Sequence, residues 1–243
     1  MDSDHAYLPE LIGAAPDGIA KTLASEGIVR FGPALANERA DQLLASLRTH
    51  KDWLTVLRQG DAAWYASQDE AKAIGEARFQ AMAGAEADKG FRYLYDVLRI
   101  SADPIKRAER GLTVDRLADQ WSSPEAISLW RMLTGSDAVT HIEIMATRYR
   151  SGHFLTRHND GKDPARIAAF VLSLTPKWSP DWGGELEFYG DDDSLIRSLR
   201  PSFNALTIFN VPRPHAVNRV ASGIPESRYS IAGWFRDRPA VDE

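Results

Sequence analysis

From Val139 to Phe235 the chain is a succession of short, strand-like segments separated by turn residues, and this stretch limits the available folds more than any other. Val139-Thr-His-Ile-Glu-Ile-Met-Ala-Thr147 alternates in polarity, Arg166 to Leu174 is apolar and rich in β-formers, and Glu185-Leu-Glu-Phe-Tyr189 puts Leu186 and Phe188 on one face. Asn204 to Phe209 and Arg228 to Phe235 supply two more strands, and a loop with two prolines fills Thr175 to Gly183. About one hundred residues of this texture predict an antiparallel sandwich or barrel.

The preceding 138 residues are mixed. A helix is expected from Pro16 to Ser25, then a strand from Gly27 ending at Gly32-Pro33. A second helix runs through about Leu47 with Asn37 as its N-cap. Trp53 to Leu57 reads as a strand and the alanine-rich Gln68 to Ala87 as a helix. Phe91-Arg-Tyr-Leu-Tyr-Asp-Val-Leu98 is a strand whose aromatics are read first as core packing, with the floor of a substrate groove as the other reading. Val114 to Gln120 and Pro124 to Leu133 are short helices, the second capped by Ser123 and closed by Gly135.

Composition excludes several classes. The 243 residues are 44% hydrophobic and 26% charged, enough for a full core without bias towards disorder. Net charge of −5 argues against a generally basic nucleic-acid surface, while leaving room for a local cationic cleft. The absence of cysteine rules out disulfides, thiolate ligands and thiol nucleophiles, and fits a reducing compartment. Residues 1–10 lack the basic start and apolar core of a signal peptide, and no apolar run is long enough to span a bilayer, so a cytoplasmic location without membrane contact is expected.

Chemistry concentrates in Tyr149-Arg-Ser-Gly-His-Phe-Leu-Thr-Arg-His158-Asn-Asp160. On an extended strand, residues i and i+2 lie on one face roughly 6 to 7 Å apart, so His158 and Asp160 could converge on one metal ion. His215, the only downstream histidine, would complete the two-histidine, one-carboxylate facial set of non-haem Fe(II) oxygenases. Further along, Arg228, Ser230, Ala232 and Trp234 share a strand face, so a guanidinium and a hydroxyl would look into the same interior. Arginine is rarely buried without an anion, so a buried Arg228 would call for an acidic ligand, while a surface arginine at the start of a strand is the plainer reading of this residue alone.

His158-Asn-Asp160, Arg166 to Pro176, Trp182-Gly-Gly-Glu-Leu-Glu-Phe188, Ser198-Leu-Arg-Pro-Ser-Phe-Asn204, His215 and Ser227-Arg-Tyr-Ser-Ile-Ala-Gly-Trp-Phe235 follow one another in a specific order. In this the chain resembles the Fe(II)- and 2-oxoglutarate-dependent dioxygenases of the prolyl-hydroxylase type, most nearly the catalytic domain of the ribosomal prolyl hydroxylases. The resemblance runs from about Tyr149 to Phe235. It implies a double-stranded β-helix, or jelly roll, with the N-terminal helices on an outer face. The expected organisation is a single dioxygenase domain over 1–243, with 1–138 as a helical and mixed support region and 139–236 as the metal-binding core.

The resemblance also implies roles. His158, Asp160 and His215 would bind Fe(II), Arg228 would pair with the distal carboxylate of 2-oxoglutarate, Tyr149 would line that pocket and Trp234 would pack near the metal. Where relatives place a tyrosine on the co-substrate carboxylate, this chain has Ser173, too short for the same contact, with Ser230 or Tyr149 as compensating groups. The aspartate predicts hydroxylation rather than halogenation, because related halogenases lack that carboxylate.

The expected reaction is hydroxylation of an aliphatic C–H with O2, releasing succinate and CO2, with ascorbate as an accessory reductant. A prolyl residue in a protein is the first substrate reading. A free amino acid or small metabolite, or a non-catalytic metal-binding jelly-roll module, are the alternatives. His5, His50, His141 and His153 are read as incidental, although His153 could approach the cleft, and Asn159 as a supporting group. Arg150, Arg157, Arg213 and Arg219 are placed near the mouth, and Asp191-Asp-Asp193 is a solvated turn.

Overall fold

Amphipathic segments that cannot bury an apolar face alone must stack on one another, and here they stack on a curled antiparallel sheet. The computed structural model describes residues 16–84 and 90–240. Its elements are α1 (Pro16–Glu26), β1 (Ile28–Phe31), α2 (Asn37–Thr49), β2 (Leu54–Gln59), β3 (Ala62–Ala66), α3 (Gln68–Ile74), α4 (Glu76–Gly84) and β4 (Arg92–Arg99). Then follow α5 (Pro104–Arg110), α6 (Thr113–Trp121), α7 (Pro124–Thr134), β5 (His141–Tyr149), β6 (Phe154–His158) and β7 (Arg166–Leu174). The chain continues through β8 (Leu186–Tyr189), β9 (Leu195–Leu199), β10 (Phe203–Asn210), β11 (His215–Val217) and β12 (Arg228–Arg236).

Neighbouring strands run in the order β1-β10-β7-β12-β5-β4-β6-β11-β8-β9, with β2 joined to β4 and β3 to β2. Every pairing is antiparallel. This is the expected jelly-roll core. One departure is instructive: the first 138 residues do more than support it, because β1 to β4 join the same sheet. β4 splices its two halves, pairing with β5 through Asp96↔Arg148 to Arg99↔Met145 and with β6 through Tyr93↔Leu155 and Leu94↔Phe154.

The helices cover the outer face as expected. Leu23, Leu43, Leu47, Trp121 and Trp130 pack with Phe170, Leu172 and Phe235 in the largest core, where Trp121, Trp130, Phe170 and Phe235 interlock at centroid distances of 5.0 to 5.3 Å. A second core lies between the sheet halves around Tyr149, Phe188, Phe209 and Val217. Among the described residues no helix is long and apolar enough to cross a membrane.

Several local expectations change. The Gln68 to Ala87 helix is broken by Gly75 at φ +87°, a conformation costly for other residues, and its last three residues lie outside the described ones. Ala36, not Asn37, occupies the N-cap of α2; the Asn37 side chain instead accepts a hydrogen bond from Asn204 Nδ2 at 3.0 Å. Ser123 does cap α7, accepting from Ala126 N, and Gly135 ends it in the left-handed region. β3, α5 and β9 went unpredicted. Gln59-Gly60-Asp61 is a hairpin signal, and Asp103-Pro104 with Gly111 a helix start and stop, since Asp103 Oδ1 accepts from Ile105 N at 2.8 Å.

The β4 splice is anchored by one carboxylate. Asp96 is fully buried and accepts from Thr55 Oγ1 at 2.8 Å, Arg148 Nε at 2.7 Å and Arg150 Nε at 2.8 Å. Burial alone would raise its pKa, but Arg150 and the other cations around it outweigh that and hold it ionised. Asp96→Ala strands two guanidinium groups and is expected to destabilise the protein by about 3 kcal/mol. The shift in urea midpoint at unchanged slope measures it.

Candidate metal centre and its cavity

The register of two short strands brings the histidines together. β11 pairs with β6 so that His215 lies opposite His158, with ring centroids 4.1 Å apart. Nδ1 of His158 faces Thr156 O at 3.1 Å and Nδ1 of His215 faces Arg213 O at 2.8 Å. Each backbone carbonyl accepts the Nδ1 proton, which leaves Nε2 with its lone pair for a ligand. Burial, reinforced by His158, lowers the His215 pKa to about 4, so its ring is neutral near pH 7.

Asp160 joins them by a route different from the expected one. β6 ends at His158, and Asp160 sits beyond it at φ +60°, so strand alternation does not aim its carboxylate. The preceding turn does: Asn159 Oδ1 accepts from Gly161 N at 3.1 Å, and Asn159 O accepts from Arg213 N at 3.1 Å. Aspartate and asparagine tolerate the left-handed region better than most residues, which makes this turn accessible to the sequence. Asn159 is thereby a supporting group, as expected.

Asp160 Oδ1 lies 3.5 Å from His158 Nε2 and Oδ2 lies 3.5 Å from His215 Nε2. One donor atom from each residue falls within 4.8 Å of the others, making this the one cluster of its kind among the described residues. Trp234 Nε1 donates to Asp160 Oδ2 at 2.9 Å, and the Arg166 guanidinium lies 3.6 Å above the Trp234 ring with Nη1 3.4 Å from Oδ1. Burial would raise the Asp160 pKa, but the two histidines and Trp234 outweigh it and hold the carboxyl far below the usual range. Two imidazoles and a carboxylate are the donor set that suits Fe(II).

The three donors open on a cavity of ≈ 700 Å³ whose walls include Tyr149, Arg228 and Trp234. Arg228 is 3% exposed, its Nε has no hydrogen-bond partner, and its guanidinium carbon lies 5.0 Å over the Tyr149 ring. It has no ion-pair partner among the described residues. Burial lowers its pKa. Burial likewise pushes the Tyr149 hydroxyl up, so it stays a hydrogen-bond donor. A buried, uncompensated cation facing a cavity calls for an anion.

Neither Ser173 nor Ser230 is among the residues lining the cavity. Ser173 accepts a hydrogen bond from Ser202 N at 3.1 Å, and Ser230, though fully buried with an unpartnered Oγ, is not part of the cavity wall. Tyr95, read in the sequence only as one of the aromatics of its strand, stacks on Tyr149 at 5.2 Å and 18° and lines the cavity with Tyr93 and Phe91. The β4 aromatics thus serve both readings, lining the cavity while Tyr95 also packs against the second core, and Phe91 lies 4.9 Å from the His158 ring.

Of the four arginines expected at the mouth, only Arg157 lines the cavity, paired with Asp193 of the exposed acidic turn. Arg150 is drawn to Asp96 and Glu76, Arg219 donates to Gly152 O and lies over Phe154, and Arg213 sits against Gly27. His153 is fully buried away from the cavity, 3.5 Å from Glu76. His50 packs on Trp53 and His141 contacts Thr140; His5 lies outside the described residues.

The curled sheet and this donor set define a jelly-roll protein of the two-histidine, one-carboxylate metal class. Residues 144–236 match the sequence profile of the 2OG-Fe(II) oxygenase superfamily. Over 110 residues, 42% of the chain, it is 36% identical to prolyl 3-hydroxylase OGFOD1 of Mus musculus and 34% identical to its Xenopus laevis counterpart. The match covers only 20% and 21% of those relatives. A Pseudomonas putida prolyl-4-hydroxylase superposes with TM-score 0.58 at 18% identity, covering 93% of this chain and 100% of that one. A Trichoplax adhaerens prolyl hydroxylase, solved with a hypoxia-inducible-factor peptide, gives 0.61 at 19% identity, covering 91% and 89%. At such identities these structures establish the shared fold.

Trp234→Phe keeps an aromatic ring, though a smaller one, and removes the hydrogen bond to Asp160. Mn(II) affinity measured calorimetrically is expected to fall about tenfold or more with the thermal midpoint nearly unchanged; an unaltered affinity would remove Trp234 from the supporting set.

Proposed function

We propose that the protein is an Fe(II)- and 2-oxoglutarate-dependent dioxygenase that hydroxylates an aliphatic C–H, with a prolyl residue in a polypeptide as substrate. The observation that carries this reading is the juxtaposition in one cavity of three metal donors and a buried arginine without a partner. His158, Asp160 and His215 hold the iron, and three protein ligands leave positions open for co-substrate and O2. Arg228 takes the distal carboxylate of 2-oxoglutarate through its planar fork, with Tyr149 beside it as a wall and donor.

When bound, iron and 2-oxoglutarate supply the oxidising chemistry, in which O2 and 2-oxoglutarate are consumed and succinate, CO2 and a hydroxylated carbon are formed. The protein's residues orient and shield that chemistry. Thr156 O and Arg213 O fix the imidazole tautomers, Trp234 and Arg166 hold the Asp160 carboxylate, and the aromatic wall of Phe91, Tyr93 and Tyr95 keeps the substrate side apolar. The polypeptide substrate is supported by what the two matched relatives and the superposed structures are called. A cytoplasmic location and a supporting role for ascorbate belong to the same reading, the former supported by the absence of cysteine.

Purified iron-loaded protein is expected to release succinate from 2-oxoglutarate, and His158→Ala to abolish it. Arg228→Gln removes one partner of a buried charge pair and should raise the KM for 2-oxoglutarate about 30-fold or more. Mass spectrometry of a lysate from a deletion strain, before and after adding enzyme, should show one added oxygen on proline-containing peptides. A gain confined to free amino acids would overturn the polypeptide substrate, and no succinate with any substrate would overturn the enzyme.

A further inference from the structure

We infer that a second groove, continuous with the metal cavity, receives the flanking part of an extended polypeptide substrate and selects for carboxylate side chains about six to eight residues from the hydroxylated position. This rests on the oxygenase reading above. The groove encloses ≈ 920 Å³ and shares Tyr93, Tyr95, Met145, Arg166 and Trp234 with the metal cavity, so the two adjoin along those side chains. Its floor follows from strand geometry. Tyr93, Tyr95, Val97 and Arg99 occupy alternate positions of β4 and share a face, running from the wall beside His158 out to Arg99.

Chemistry changes along that floor. Near the metal it is aromatic, and at the far end it is basic: Arg99, Lys106, Arg107, Arg110, Arg236 and Arg238 face it. Most of these cations are already engaged. Arg107 bonds Asp119 at 2.7 Å, Arg110 pairs with Asp115, Arg236 meets Glu143 and Asp163 at 2.7 and 2.8 Å, and Arg238 meets Asp237 at 2.7 Å. Arg99 and Lys106 have no ion-pair partner among the described residues. Arg99 lies 5.0 Å over the ring of Tyr65, which is 50% exposed on β3 beside the 42% exposed Trp64.

Two free cations and the exposed Tyr65 bordering an otherwise neutralised trough suit a chain carrying one or two carboxylates, not a polyanion. Burying an aromatic flank and pairing its acid with Arg99 or Lys106 would give both area and register. At about 3.3 Å per residue, the eight positions from Phe91 to Arg99 span roughly 26 Å, which sets the spacing.

The test uses fluorescently labelled peptides with one central proline, titrated by anisotropy into protein loaded with Mn(II) and 2-oxoglutarate. A glutamate pair six to eight residues from the proline, on one side or the other, is compared with glutamine and lysine pairs at the same positions and with an oligouridine of similar length. The glutamate peptide should bind about tenfold tighter than the glutamine one, with the advantage lost at about 0.5 M salt. Arg99→Glu combined with Lys106→Glu, both at exposed positions, should erase that preference while leaving 2-oxoglutarate affinity unchanged; the milder Gln pair should reduce it.

Equal binding of the glutamate and glutamine peptides, a preference that survives in the double variant, or tighter binding of oligouridine through the same two residues would each overturn the groove. Absence of succinate release from the wild type, with the glutamate preference intact, would instead overturn the oxygenase reading and leave the groove supported.

Discussion

The candidate centre depends on the pairing of β11 with β6, two strands of three and five residues. Because side chains alternate between sheet faces, a slip of one residue would turn His215 away from His158 and into the opposite face. So short a pairing has little stability of its own. It is held because β11 is flanked on its other side by β8, with His215↔Phe188, and because β6 is joined to β4. The metal donors are thus as well placed as the larger sheet around them, and a metal would add to that order rather than create it.

That dependence explains why β4 matters more than its position in the sequence suggests. It bridges the two halves of the sheet, and its two faces do different work. One face carries Leu94, Asp96 and Leu98, with Asp96 tying β2 and β5 to the strand through Thr55, Arg148 and Arg150. The other carries the tyrosines that pave the cavity. A buried carboxylate shared by two arginines is a poor source of net stability, yet its directional bonds fix where the strand lies. The aromatic floor on the opposite face inherits that placement.

How much of this was legible in the sequence follows from the range of each signal. His158, Asp160 and His215 could be picked out because ligand chemistry restricts residue types severely, and Arg228 because a cation on an apolar strand is unusual. β5 and β8 declared themselves by alternation and β7 by its apolar, β-rich content. The route by which Asp160 reaches the site was not legible, since it depends on a left-handed residue and on a hydrogen bond from Arg213, far along the chain. The surroundings of Ser173 and Ser230 were not legible for a related reason. Alternation assigns a face correctly, but whether a short side chain reaches a cavity depends on its neighbours, and Ser202 N claims the Ser173 hydroxyl. The place of Tyr95 was left open because aromatics on a strand read the same whether they face a core or a cavity.

Arg228 sets the energetic logic of the cavity. Burying a guanidinium without a counter-ion is unfavourable, and the fold softens this only partly, with the Tyr149 ring beneath the group. Replacing Arg228 by an apolar residue would relieve that cost, and so would an anion bound against it. A dianionic ligand reaching from the guanidinium towards the three donors would neutralise the cation at one end and complete a coordination sphere at the other. The same low-dielectric surroundings that penalise the unpaired arginine would strengthen both contacts once water is excluded. Asp160 shows the complementary solution within the same cavity: a buried charge satisfied in advance by Trp234 and the histidines, and so ready to act as a ligand whether or not the cavity is filled.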